Sequence, residues 1–363
     1  MNTTGAVETI LATILAAISV AISIAVVPPA AADGGMDVSR PYRLSPHVAP
    51  GESFEGIRWL GSVALTPVSL DGLTLGGLSG IAWDEDASRL YALSDSGALF
   101  HLRPAFDGGR LIRVTLLAAY ALRDHRNRPL KGAYADAEAL VARHADNGER
   151  GDTVLSVSFE RHPRILQFTP EGRYLANLKL PAEMRDRRRY ADPNKALEAL
   201  TWLPETGFLS GPERPLTGAE AGIVDLFALD GRRWRYPLRG TPNASLVDLE
   251  ALPGGDLLTL ERGHGLMFLP IVIALRRTRL DFEKDGALLA VETLAVLDSS
   301  RGWSVDNFEG LARHRGNRLF MVSDDNFNEL QKTLLVYLET IAAGKSDDGG
   351  NSLEFELRHK TSN

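Results

Sequence analysis

One short phrase returns along the whole chain and constrains the fold more than any other feature. Asp136-Ala137-Glu138-Ala139-Leu140 recurs as Leu197-Glu198-Ala199-Leu200, Leu249-Glu250-Ala251-Leu252 and Phe308-Glu309-Gly310-Leu311. An earlier copy, Leu78-Ser79-Gly80-Ile81, carries serine at the glutamate position. The aligned positions 79, 138, 198, 250 and 309 are separated by 59, 60, 52 and 59 residues. A period of this size marks a repeat architecture, in which no unit can bury its apolar face alone and neighbouring units must stack.

Each unit reads as short strands between turn residues. In the first, Gly80–Trp83 is followed by the turn Asp84-Glu85-Asp86-Ala87-Ser88, then Leu90–Ser94, Ala98–Leu102 and, after Asp107-Gly108-Gly109, Leu111–Leu117. Such spacing predicts antiparallel meanders and excludes βαβ units. The later units follow the same plan, except that the fifth lacks a fourth strand locally. The apolar stretch Ile57–Leu65, upstream of unit one, can supply it and close a ring. Four-stranded units at this period predict an all-β chain, a β-propeller of four-stranded antiparallel blades. Five repeats are visible. A sixth blade built from residues 54–75 with Leu353–Leu357 is the alternative count, and a β-sandwich the alternative fold. Helix is expected only at Ala182–Arg188 and Ala191–Leu197.

Composition bounds the function. The 34 glycines and 19 prolines suit many tight turns, and a net charge of −7 argues against a general nucleic-acid binder. The chain contains no cysteine, which excludes disulfides, thiolate metal sites and thiol nucleophiles. Ile10–Val27 is uncharged and apolar and runs into Pro28-Pro29-Ala30-Ala31-Ala32-Asp33, the pattern of a secretory signal cleaved after Ala32. No basic residue precedes the run and Glu8 is acidic, so retention as an anchor is the alternative. The expected organisation is a signal peptide over 1–32, a linker over 33–53, a propeller over 54–340 and a C-terminal strand or tail over 341–363. The expected location is periplasmic or secreted.

The first two strands of each unit form an antiparallel hairpin, so the start of one lies beside the end of the other. The repeated glutamates Glu138, Glu198, Glu250 and Glu309 therefore share a face with the loops that follow the second strands. Those loops read Ser94-Asp95, Glu160-Arg161, Glu213-Arg214, Glu261-Arg262 and Ser323-Asp324. Carboxylates gathered at one mouth repel unless a cation intervenes, and calcium, a taker of many oxygen ligands, is the expected metal. No organic cofactor is expected. Arg161, Arg214 and Arg262 offer forked donors to a substrate anion. Asp95, Asp324 and His264 are candidates for acid–base work there. The opposing structural reading has the glutamates accepting backbone N–H groups of neighbouring blades and the arginines pairing locally. Gly76-Gly77-Leu78-Ser79-Gly80 fails the spacing of a nucleophile elbow, because Ile81 stands where the last glycine is needed. His144 and His314 follow first strands, which puts them in turns at the opposite face.

The chain resembles the exported bacterial proteins of the phytase-like family, described as esterase-like activity of phytase. The resemblance rests on Leu75–Trp83, Tyr91–Asp95, Asp136–Leu140, Asn194–Leu200, Leu249–Leu252 with Leu260–Arg262, and Asn307–Leu311 with Ser323–Asn326, spanning roughly residues 57–338. It implies a β-propeller with phosphoesterase or esterase activity, and it carries over no catalytic residue. The expected function is calcium-assisted cleavage of a phosphate ester or small anionic ester by a monomer, with no nucleic-acid partner and no membrane contact beyond the export signal. A non-catalytic periplasmic binding propeller and a lactonase-like metal-dependent propeller are the alternatives.

Overall fold

The computed structural model describes residues 34–192, 195–264 (His264 in its backbone only) and 270–341. The Ile10–Val27 segment and Leu353–Leu357 lie outside them. The chain is nearly all β, with five four-stranded antiparallel blades arranged as a β-propeller. Blade one comprises Leu78–Asp84, Arg89–Ser94, Ala98–Asp107 and Arg110–Ala121. Blade two comprises Ala137–Arg143, Val154–Phe159, Arg164–Phe168 and Tyr174–Leu178. Blade three comprises Ala199–Leu203, Gly207–Gly211, Ile223–Ala228 and Arg233–Pro237. Blade four comprises Ser245–Ala251, Asp256–His264, Ile271–Arg279 and Val291–Asp298. Blade five takes Asn307–Arg313, Arg318–Asp324 and Leu334–Thr340 from the end of the chain and Ile57–Leu65 from its beginning. Leu334 stands opposite Ala64 and Thr340 opposite Ile57 in that closing pair.

Five apolar layers lie between successive blades. Tyr91 and Leu93 meet Leu155 and Val157 between blades one and two. Ala139 and Ile165 meet Leu200 and Phe227 between two and three, and Leu209 and Val224 meet Leu249 and Leu257 between three and four. Leu258 and Ile273 meet Leu311 and Met321 between four and five. Phe320 and Val322 meet Ile81 and Phe100 between five and one. This last layer closes the ring. Each buried leucine or phenylalanine contributes about 1.5–3 kcal/mol, so the layers supply the cohesion that a lone meander lacks.

The glycine that follows Ser79 has a steric cause. A Cβ on Gly80 would stand 2.8 Å from the carbonyl oxygen of Glu138 and 2.9 Å from the amide nitrogen of Leu140, in the neighbouring first strand. The first strands pack against each other around the axis; blades one, two, three and five carry glycine or alanine at this position, and in blade four Asp248 stands there with its carboxylate accepting the Leu311 N–H at 2.6 Å.

Three expectations change. Residues 54–75 complete blade five and form the hairpin Ser69–Leu70 with Leu73–Thr74, so the described residues build five blades and no sixth. The lead-in over 33–53 is not a free linker. Met36–Asp37 pairs with Thr115 and Leu116 on the outer strand of blade one, and Ser39–Pro41 pairs with Val63–Leu65 of the closing strand. Among the described residues helix is confined to Ala182–Arg185 and the 3₁₀ turns Gly132–Tyr134, Arg187–Arg189 and Ser299–Arg301; the described residues of Ala191–Leu197 form bends that bring Lys195 inward. No described helix is long and apolar enough to cross a membrane.

Candidate functional site

A cavity of about 420 Å³ opens where the first strands begin. Its walls carry Asp95, Asp136, Glu138, Glu160, Glu198, Glu213, Glu309 and Asp324, against Lys195 and Arg262 as the cations. Two rings of repeat positions build it. Leu78 pairs with Ser94, Phe308 with Ser323 and Leu246 with Glu261, each followed by a bulged residue: Ser79, Glu309 and Val247. Glu138 occupies the same bulge opposite Ser158. The second ring lies one residue beyond these pairs on the second strands and holds Asp95, Glu160, Arg262 and Asp324. Counting from the Ala199–Gly211 pair adds Glu213.

Register explains which expected residues converge. Glu138, Glu198 and Glu309 meet at the cavity, as do Asp95, Asp324 and Arg262. Glu250 does not. In blade four the structural equivalent of Glu309 is Val247; Leu249-Glu250-Ala251-Leu252 mimics the phrase three residues too late. Glu250 therefore lies at the other end of its strand, where its carboxylate accepts the Arg313 N–H at 3.1 Å. The arginine trio is also not assembled. In blades two and three the Glu-Arg pair places glutamate at the inward position, and side chains alternate along a strand, so the next residue turns away. Arg161 instead pairs with Asp136 at 2.7 Å, half exposed, and Arg214 does not line the cavity. In blade four the same pair is shifted by one residue, so Arg262 faces inward and Glu261 faces outward to Tyr236, Arg239 and Arg276. The side chain of His264 lies outside the described residues.

Electrostatics set the character of the mouth. Arg262, almost fully buried, is held between Glu309 and Glu213, and Lys195 bonds the second oxygen of Glu213. Burial raises the Glu213 pKa, but Arg262 and Lys195 outweigh it and hold the carboxyl below its ordinary range. Asp136 pairs with Arg161 and Glu309 with Arg262, but Glu138, Glu160, Glu198, Asp95 and Asp324 form no ion pair among the described residues. Burial, then Glu160, Glu309, Asp136 and Asp95, push Glu138 well above the usual value. Burial, then Glu138, Glu213, Glu160 and Glu309, do the same to Glu198. Glu160 rises to about 8 through burial and Asp136, and Asp324 to about 8 through burial and Glu309. Asp95 rises to about 6, through burial, Asp136 and Glu309.

Asp136, Glu160, Glu213 and Lys195 are site residues that sequence reasoning did not single out. Asp136 stood inside the repeated phrase, and Glu160 and Glu213 preceded arginines that drew the attention. Lys195 carried no signal, because it reaches the mouth from an irregular segment. Asn307, Asn326 and Gln331 complete the polar rim.

Asp136, Glu138 and Glu160 each present one oxygen within 4.8 Å of the others, a spacing one hard cation can bridge. Glu198 is nine-tenths buried and forms no hydrogen bond or ion pair among the described residues, Arg262 acting on it only from farther away. No curated protein matches the chain. The sequence model of the Phytase-like family, described as esterase-like activity of phytase, matches residues 73–327, which include all five first strands. By that match, over most of its length, the chain belongs to the Phytase-like family.

Proposed function

We propose that this chain is an exported, monomeric hydrolase that binds a divalent cation, calcium by preference, at the acidic mouth and cleaves a phosphate ester or another small anionic ester there. The observation carrying this reading is the charge imbalance: eight carboxylates face two cations, and both cations are engaged by Glu213 or Glu309. Asp136, Glu138 and Glu160 would hold the cation, with Glu198 and Glu309 as neighbouring oxygen donors. When bound, it would neutralise the mouth and act as a Lewis acid on an ester oxygen. Asp324, raised to about 8, and Asp95, raised to about 6, are placed to exchange protons with a substrate or water near neutral pH. The Asn326 N–H fixes one Asp324 oxygen at 2.7 Å, orienting the carboxyl. Lys195, one-third exposed, is the cation nearest to availability for the substrate's anion. The apolar Ile10–Val27 run followed by Ala-x-Ala supports export.

Metal analysis of the purified protein, with hydrolysis of phosphomonoester, acyl ester and lactone substrates with and without chelator, tests the proposal. Turnover lost with chelator and restored by calcium supports it; turnover indifferent to chelator and to Glu138→Gln refutes it. Arg262 locked between two carboxylates favours one other reading, a non-catalytic propeller whose cation helps hold a ligand. That reading expects calcium to stabilise the protein without turnover of any substrate.

A further inference from the structure

At the opposite end of the first strands a second cavity, of about 640 Å³, has a different character. Four residues beyond the bulge position, the five blades present Trp83, Ala142, Trp202, Ala251 and Arg313, and all five line this cavity. The two alanines leave room between the two indoles. The Arg143 guanidinium lies over the Trp202 ring, 3.2 Å from its centroid, and Trp83 is propped edge-on against His314 with its Nε1 donating to Glu85 at 2.8 Å. Arg315 at the rim is neutralised by Glu85. Arg143 and Arg313, in contrast, have no carboxylate within ion-pairing distance among the described residues; Asp146 and Glu250 act on them only from farther away. Arg143 is partly buried, and burial lowers its pKa, so its charge gains from an incoming anion.

We infer that this mouth is a binding site for a small organic anion carrying an aromatic or similarly flat apolar group, with Arg143 and Arg313 holding the anion and Trp83 and Trp202 flanking the flat group. Guanidinium forks suit carboxylate and phosphate oxygens, and indole faces suit planar apolar groups. The site is independent of the acidic mouth and of any hydrolysis there.

The tryptophans supply the readout. Of the five in the chain, Trp59, Trp234 and Trp303 are buried, whereas Trp83 and Trp202 are half-buried and line this cavity. Titration of the purified protein with phenyl phosphate, benzoate, inorganic phosphate and phenol, read by intrinsic fluorescence, tests the inference. Phenyl phosphate and benzoate are expected to give saturable quenching below roughly 10 mM. Arg143→Met and Arg313→Gln should each weaken binding by about tenfold or more, the loss expected for one hydrogen bond to a charged group. Arg313→Gln alters only a half-exposed side chain, so it keeps the test decisive if Arg143→Met folds poorly. Glu138→Gln at the other mouth should leave the affinity unchanged. No saturable quenching, quenching indifferent to both arginine variants, or inorganic phosphate binding as tightly as phenyl phosphate would overturn the inference.

Discussion

Raising the pH in the absence of divalent cations should destabilise this propeller through its acidic mouth. A carboxyl with a raised folded-state pKa keeps its proton longer in the folded chain than in the unfolded one. Its penalty is absent below the ordinary carboxylate pKa, accumulates as pH climbs to the folded value, and is complete above it. Glu160 and Asp324, each raised to about 8, are both nearly inaccessible to solvent. His314, lowered to about 4, and His101, also lowered by burial, gain stability as pH rises to the ordinary histidine range, so the clean window begins near pH 6.5. From there to pH 9 each carboxyl crosses about 1.5 pH units below its folded pKa, worth about 2 kcal/mol. Together they give roughly 4 kcal/mol, or a fall of about 8 °C in Tm at about 2 °C per kcal/mol. Differential scanning fluorimetry in chelator across this window measures the fall. Calcium at a hundred times its Kd should return about 2.7 kcal/mol at pH 9 and less at pH 6.5, where the ligand oxygens are protonated. Glu160→Gln should flatten the profile. A Tm that holds steady from pH 6.5 to 9 in chelator, in the parent and the variant alike, would refute the reasoning.

Glu198→Gln should weaken calcium binding by about tenfold or more, whereas Glu250→Gln, at the opposite mouth, should leave it within about twofold; isothermal titration calorimetry separates the two. Arg262→Met should cost about 3–5 kcal/mol in chemical denaturation, because it removes the ion-pair partner of Glu309 and leaves buried Glu213 with Lys195 alone, and calcium should recover part of the loss. Phe320→Ala, in the layer that closes the ring, should cost about 3–5 kcal/mol with little effect on calcium affinity. Gly80→Ala should cost about 1–3 kcal/mol and also weaken calcium binding, since the added methyl meets the backbone that carries Glu138.

The repeat made the fold legible because each blade must present the same packing face at the same step. The closing role of Ile57–Leu65 followed from the missing strand in unit five. Counting blades was harder, since the stretch that might have begun a sixth was consumed in completing the fifth. The site was legible in part. Glu138, Glu198, Glu309, Asp95 and Asp324 were reachable from strand order alone. Glu250 was misplaced because apolar residues recur at both Leu246 and Leu249, and only the ladder to Glu261 decides which one begins the equivalent hairpin. The arginines failed for a related reason: a one-residue offset between Glu160-Arg161 and Glu261-Arg262 exchanges the inward and outward residues. Lys195 depends on an irregular segment whose path no periodicity encodes.

The seam at blade five has a consequence for how the molecule comes into being. Ile57–Leu65 has its partner Leu334–Thr340 at the far end of the described chain, and Met36–Pro41 lies across the same seam from blade one. During synthesis the early strand must wait, its hydrogen-bonding edge unsatisfied, until nearly the whole polypeptide has emerged. Contacts so distant in sequence make the final step of assembly slow. A chain stopped short of residue 334 would lose more than one strand: the wheel would remain open, with Phe320 and Ile81 exposed along the gap, an edge ready to recruit another copy.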